Sequence, residues 1–178
     1  MPSATTHIII ALILGSLYRD LFIKNKKQFP LHYILIFGIG AILPDLDIAV
    51  FWLLYWFGFT LNEVHRTFSH NLFFPLILFI FALISWKYKN KEFGKHHLKL
   101  HTILIMLGFG VLIHLLLDAT LAGYIMPFYP ISQFTIGIIF VNFLPYALQQ
   151  LFFPCLDAAL IILWLVYLEW KHKISDFI

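Results

Sequence analysis

Apolar runs of about 20 residues, the length that crosses a ~30 Å hydrocarbon core as a helix, alternate with short basic stretches along this chain. Residues 5–23 predict a first helix, residues from about 70 to 87 a third, and 101–121 a fourth. The second run, 31–59, is too long for one untilted crossing and contains Pro44, which removes a helix hydrogen bond and clashes with the preceding turn. A break near Pro44 is therefore expected. Residues 48–59 beyond it are dense in Trp, Tyr and Phe, rings that favour the outer interface. In the C-terminal third, 136–153 and 156–170 could each cross. Asn142, Pro145, Gln149, Gln150 and Pro154 make the earlier piece a better interfacial or re-entrant segment than a span.

Charge orients these runs. Arg19, Lys24, Lys26 and Lys27 form one cluster, Lys87, Lys89, Lys91, Lys95 and Lys99 a second, and Lys171 with Lys173 a third. Such loop clusters mark the cytoplasmic face. Two crossings in the C-terminal third would put Lys171 and Lys173 outside, so five crossings are favoured over six. The expected fold is an all-α integral membrane protein, a compact bundle of about five (four to six) transmembrane helices with a broken second helix, forming one domain over 1–178.

Composition agrees: 61% of residues are hydrophobic, only 12% are charged, and the mean hydropathy is +0.88. A soluble domain and a strand-rich insert are both excluded. The net charge of +3 does not indicate nucleic acid, because the lysines lie in topology-setting loops. The single cysteine, Cys155, excludes an internal disulfide and a cysteine-rich zinc site, and reads as packing. Residues 1–6 carry no Lys or Arg, so the first run is expected to stay as a helix rather than be cleaved.

Within these apolar runs stand His7, the PDLD of residues 44–47, the HRTFSH of 65–70 and the HLLLD of 114–118. Imidazoles and carboxylates are costly at such depths, so function is the default explanation. At 1.5 Å per helical residue, Asp45 lies ~22 Å from Pro30, His114 ~22 Å from Lys99, His7 ~18 Å from Arg19 and His70 ~26 Å from Lys87. Four helices of alternating direction thus bring their polar residues to one level in the outer half of the membrane. His114 and Asp118, four apart, share a helix face. Simpler roles exist for each: His7 as a helix-start group, Asp47 as a cap after the break, Ser69 or Thr67 capping the third helix. A common depth is better explained by one cause. His and carboxylate donors suit zinc first, with manganese or iron as alternatives, and their number allows one or two ions, with one Asp bridging.

This order of motifs, continued by Pro127 and Phe128, resembles the YdjM-like family of prokaryotic inner-membrane proteins over about residues 7–130. The family is described as LexA-binding, inner-membrane-associated and metal-dependent in hydrolysis. The resemblance implies metal ligands at His7, Asp45 or Asp47, His65, His70, His114 and Asp118. It also implies a multi-pass protein of a prokaryotic inner membrane.

The expected function is hydrolysis of a phosphoester or ester of a lipid-like substrate by a metal-activated water, at a site on the extracytoplasmic side. Asp47 or Asp118 could serve as general base, and Arg66, the only basic residue away from the three clusters, could bind phosphate. The partners expected are membrane lipids and the lipid-like or phosphoester substrate, without nucleic acid, and a cytoplasmic protein at the lysine-rich loops. Two other classes compete: an ion- or proton-coupled transporter, and a non-catalytic adaptor with a structural metal.

Overall fold

The computed structural model describes residues 3–65, 67–88, 92–94 and 97–173. Arg66 and the loop lysines Lys89, Lys91 and Lys95 lie outside these residues. Apart from a two-stranded hairpin, β1 (Glu92–Phe93) with β2 (Leu98–Lys99), the regular structure is helical. α1 spans Ala4–Phe22, and its first turn is capped by Ser3, whose Oγ accepts from the Thr6 amide at 3.2 Å. α2 (His32–Gly40) leads into a 3-10 turn at Pro44–Leu46 and then α3 (Asp47–Leu54). The two arms of this run meet at 55°, so the break expected at Pro44 is present. α4 (Leu61–Val64) is one short turn, and α5 (Phe73–Ser85) continues as 3-10 helix to Tyr88. α6 (Leu100–Leu117) ends in a π turn at Asp118–Ala122, and α7 covers Tyr146–His172.

Among the described residues three helices, α1, α6 with its π extension and α7, are long and apolar enough to span a membrane, and the bent pair passes the same test if taken as one span. Phe73–Tyr88 is apolar but shorter. An all-α membrane protein follows from these helices.

The C-terminal third holds one long apolar helix, as favoured, but that helix begins earlier than expected. Residues 136–145 hold a β-bridge residue, Ile136 paired with Ile125, and a 3-10 turn at Phe140–Phe143, and a single 27-residue helix then runs through Pro154. A proline costs one backbone bond, and apolar helix on both sides of it carries the element past the loss. The split expected between 153 and 156 does not occur.

α6 packs against both α2 and α5, and α1 lies between α2 and α7. Buried apolar side chains gather around Ile9, Leu12 and Ile34, and around Val111, Leu115 and Ile125. α7 buries no residue, yet polar contacts pin it to α1 at two levels. Near the start of α1, Asp157 accepts from Ser3 at 2.6 Å and from Thr6 Oγ1. Near its end, Asp20 accepts from Tyr167 at 2.5 Å and pairs with Lys26 at 2.7 Å. α1 and α7 therefore run parallel.

Candidate metal centre

The site forms where α2 ends against α6. A β-carbon added at Gly40 would lie 2.5 Å from the Leu107 carbonyl oxygen, and one at Gly110 would collide with the backbone of Phe37 and Ala41. Glycine at both positions lets the two backbones approach closely. That approach sets the carbonyl of Ala41 at 2.8 Å from Nδ1 of His114. A carbonyl only accepts, so in the neutral ring Nδ1 carries the hydrogen and Nε2 presents a lone pair.

His70 reaches the same arrangement by another route. It lies in the irregular stretch before α5, with Nδ1 3.0 Å from Ser69 Oγ and 3.2 Å from Asp47 Oδ2. The Ser69 hydroxyl donates to that same carboxylate oxygen at 2.7 Å, which leaves Oγ to accept from the imidazole. The Nε2 lone pair of His70 thus faces that of His114, 3.1 Å away.

Two carboxylates close on this pair. Asp45 Oδ1 is 3.5 Å from His70 Nε2 and 3.6 Å from His114 Nε2, and Asp118 Oδ2 is 3.7 Å from each. Both histidines are fully buried. Four acceptor atoms held together, three of them on buried side chains, repel one another unless positive charge sits among them. Ligands at roughly 2.0–2.2 Å from a tetrahedral zinc lie about 3.3–3.6 Å apart. The triangle of His70, His114 and Asp45 has nearly those edges, and the triangle with Asp118 is slightly larger. The residues present therefore fit a divalent ion.

His7 and His65 flank this core. The His7 ring stacks on His114 with centroids 4.0 Å apart, and its Nε2 is 3.5 Å from Asp118 Oδ1. Asp118 so turns one oxygen to His7 and the other to His70 and His114. His7 Nδ1 is buried and has no hydrogen-bond partner among the described residues. His65 Nδ1 is 2.8 Å from Asp47 Oδ1. Asp47 consequently holds His65 with one oxygen and His70 with the other, the position of a carboxylate behind metal-binding imidazoles. Three sets of ligand atoms, from His7, Asp45 and His114, from Asp45, His65 and His70, and from His70, His114 and Asp118, each lie within 4.8 Å of one another.

All six ligand candidates read from the sequence meet here, with Asp47 beside them. Arg66 lies outside the described residues. The simpler capping roles do not hold. The Asp47 side chain turns to His65, Ser69 and His70 rather than to the start of α3, whose N-cap is Leu46. The turn before α5 is capped by Asn71, which accepts from the amides of Phe73 and Phe74 at 3.0 and 3.2 Å, while Ser69 serves Asp47. Sequence reasoning also passed over Asp157, which anchors the residue next to His7. A carboxylate inside an apolar helix was the available signal.

The comparison with curated proteins and that with solved structures each return no match. The model of the family described as YdjM inner membrane protein matches residues 1–174, and the chain belongs to that family.

Proposed function

We propose that this cluster holds one or two divalent ions, zinc first with manganese or iron as alternatives, and that the protein hydrolyses a phosphoester or ester of a lipid-like substrate at the outer leaflet. The observation that carries the reading is the convergence of two imidazole lone pairs and two carboxylates, with the imidazole hydrogens committed to Ala41 and to the Ser69–Asp47 pair. His70, His114, Asp45 and Asp118 would hold one ion. A second would use His7 beside Asp118, or His65 beside Asp45. Nitrogen and oxygen donors without sulfur suit these metals better than a calcium or magnesium cage.

When bound, such an ion supplies Lewis acidity and a water acidified toward neutrality. The remaining work falls to the chain. Asp47 orients His65 and His70, which makes it a positioning residue rather than a base. Asp45 has a quarter of its side chain exposed (25%) while the histidines around it are buried, so substrate approaches past Asp45. Its neighbours Leu46 and Ile48 are exposed and apolar, which favours an amphiphile over a free solute. Arg66 follows His65 in sequence, and a guanidinium there would pair with a phosphate in bidentate geometry.

Placement outside rests on the basic loops. With α1 and α7 parallel and the bent α2–α3 run, α5 and α6 alternating, five crossings put 23–31, 86–99 and the end of α7 on one face, which carries the lysines. The cluster is at the other end. The transporter alternative gains nothing from α6, where residues 103–113 are all apolar or glycine.

The test is the metal content of detergent-purified protein never exposed to chelator, with Asp45→Ala and His114→Ala, together with turnover of phospholipids and synthetic phosphoesters. Stoichiometric transition metal in the wild type, lost with hydrolysis in both variants, is expected. Wild-type protein without such metal ends the reading, and metal retained with no turnover of any ester favours the structural adaptor.

A further inference from the structure

An apolar cleft of about 730 Å³ runs along the bundle between α1 and α6, with α2 as its floor. Leu14 and Tyr18 form the α1 wall, Phe109 and Leu112 the α6 wall, and Ile34 and Phe37 the floor. Gly15 lets α1 approach that floor closely, since a β-carbon there would come within 3.0 Å of Phe37 and 3.2 Å of Ile34. The volume lies within the range of about 300–1,000 Å³ usual for small-molecule sites.

The cleft extends along α6 to the level of the candidate metal centre. On α1, residues 7, 11, 14 and 18 lie along one stripe, so His7 stands above the wall of Tyr18 and Leu14, one turn beyond the buried Ala11. On α6 the lining reaches Ile113 and Leu116, at the level of His114, whose own ring projects from another face of the helix toward Ala41 and His7. The stacked rings of His7 and His114 bridge the same two helices at the upper end. A molecule lying in the cleft would thus have one end at the level of the cluster.

We propose that this cleft seats a hydrocarbon chain of the substrate, so that the site acts on a membrane lipid whose ester group is held at the metal cluster and whose chain lies between α1 and α6. The proposal rests on the hydrolytic reading and names its substrate class. The occupant follows from the surroundings. The cleft lies between helices of a membrane-spanning bundle, its lining is apolar apart from the Tyr18 hydroxyl, and a cluster of carboxylates and imidazoles lies beyond its upper end. Between bilayer and cleft the chain stays in an apolar medium, so preference comes from packing rather than from transfer out of water.

The experiment uses zinc-loaded, full-length protein in vesicles of phosphatidylethanolamine and phosphatidylglycerol, doped with a phospholipid bearing a diazirine in one acyl chain. After photolysis, labelled residues are mapped by mass spectrometry. Leu14, Phe109 and Leu112 are expected to be labelled about tenfold more than the exposed Ile161, Ile162 and Leu163 of α7, equivalent to about 1.4 kcal/mol of preferential seating. Leu112→Trp and, independently, Leu14→Trp should abolish that enrichment while metal content stays at the wild-type level. Even labelling of cleft and α7, or enrichment unchanged in both variants, overturns the proposal. The labelling needs no turnover, so it decides the cleft even if no ester is hydrolysed. Hydrolysis of short soluble esters with even labelling would remove the cleft and leave the hydrolytic reading standing.

Discussion

Asp47→Asn separates a positioning carboxylate from a ligand. Asp47 offers Oδ1 to His65 at 2.8 Å and Oδ2 to Ser69 at 2.7 Å and His70 at 3.2 Å. An amide of the same shape has only one acceptor oxygen. One of the two histidines would then face an NH2 group, and its ring must move its hydrogen to Nε2 or turn away. For His70 that nitrogen is the one facing the cluster. Loss of a carboxylate behind a metal-binding imidazole typically costs about 10–100-fold in metal affinity. That corresponds to about 1.4–2.7 kcal/mol. Because Asp47 stands behind two histidines, the upper part of this range is expected. Ser69→Ala removes one hydroxyl and leaves the carboxylate, so it should cost about tenfold or less. Zinc affinity is read by titrating apo protein against a chromophoric chelator in detergent. Wild-type affinity in Asp47→Asn would refute the positioning role. Complete loss, equal to that of His114→Ala, would show that Asp47 binds the ion directly.

Three other outcomes follow from the packing. Gly110→Val places methyl groups against the backbone of Phe37 and Ala41, an overpacking that costs about 1–3 kcal/mol or more. Its thermal midpoint in detergent should fall, and zinc affinity with it, since the Ala41–His114 bond depends on that approach; an unchanged midpoint would contradict the contact. Asp157→Ala leaves the Ser3 and buried Thr6 hydroxyls without their acceptor, at about 1–3 kcal/mol, whereas Thr6→Val combined with Asp157→Leu should recover part of the loss in the same thermal assay. In a Cys155→Ser background, Thr60→Cys should react with a membrane-impermeant maleimide from outside whole cells and Lys27→Cys only after lysis; the reverse pattern would invert the proposed orientation.

The site was legible in the sequence because depth along a helix is arithmetic. Rise per residue alone put His7, Asp45, His70 and His114 at one level, and the stacking of His7 on His114 and the meeting of the His70 and His114 Nε2 atoms are what a shared level permits. Azimuth was less accessible. Asp45 and Asp47 stand two apart across a proline turn, and which of them faces the ions depends on the 3-10 geometry at Pro44–Leu46, whose turn per residue differs from that of an α-helix. The sequence could only leave the ligand as Asp45 or Asp47; the turn directs Asp45 to the Nε2 atoms of His70 and His114, and Asp47 to the Nδ1 atoms of His65 and His70.

Ser69 and Asn71 pose the same problem at the start of α5. Both are good caps by residue type, and the choice is made by a long-range partner, because Asp47 engages Ser69 and leaves capping to Asn71. Asp157 shows the converse. Its residue type was informative, but the split expected at Pro154 placed it at the margin of a span, where a carboxylate attracts little notice. In the continuous α7 it becomes an embedded carboxylate bound to the turn that carries His7. The bundle thus positions its buried imidazoles with polar groups drawn from every neighbouring element: a carbonyl at the end of α2, a carboxylate opening α3, a hydroxyl before α5 and a carboxylate on α7. A cluster that only joined helices would not require each imidazole hydrogen of His70 and His114 to be held away from the centre. Binding of a cation would.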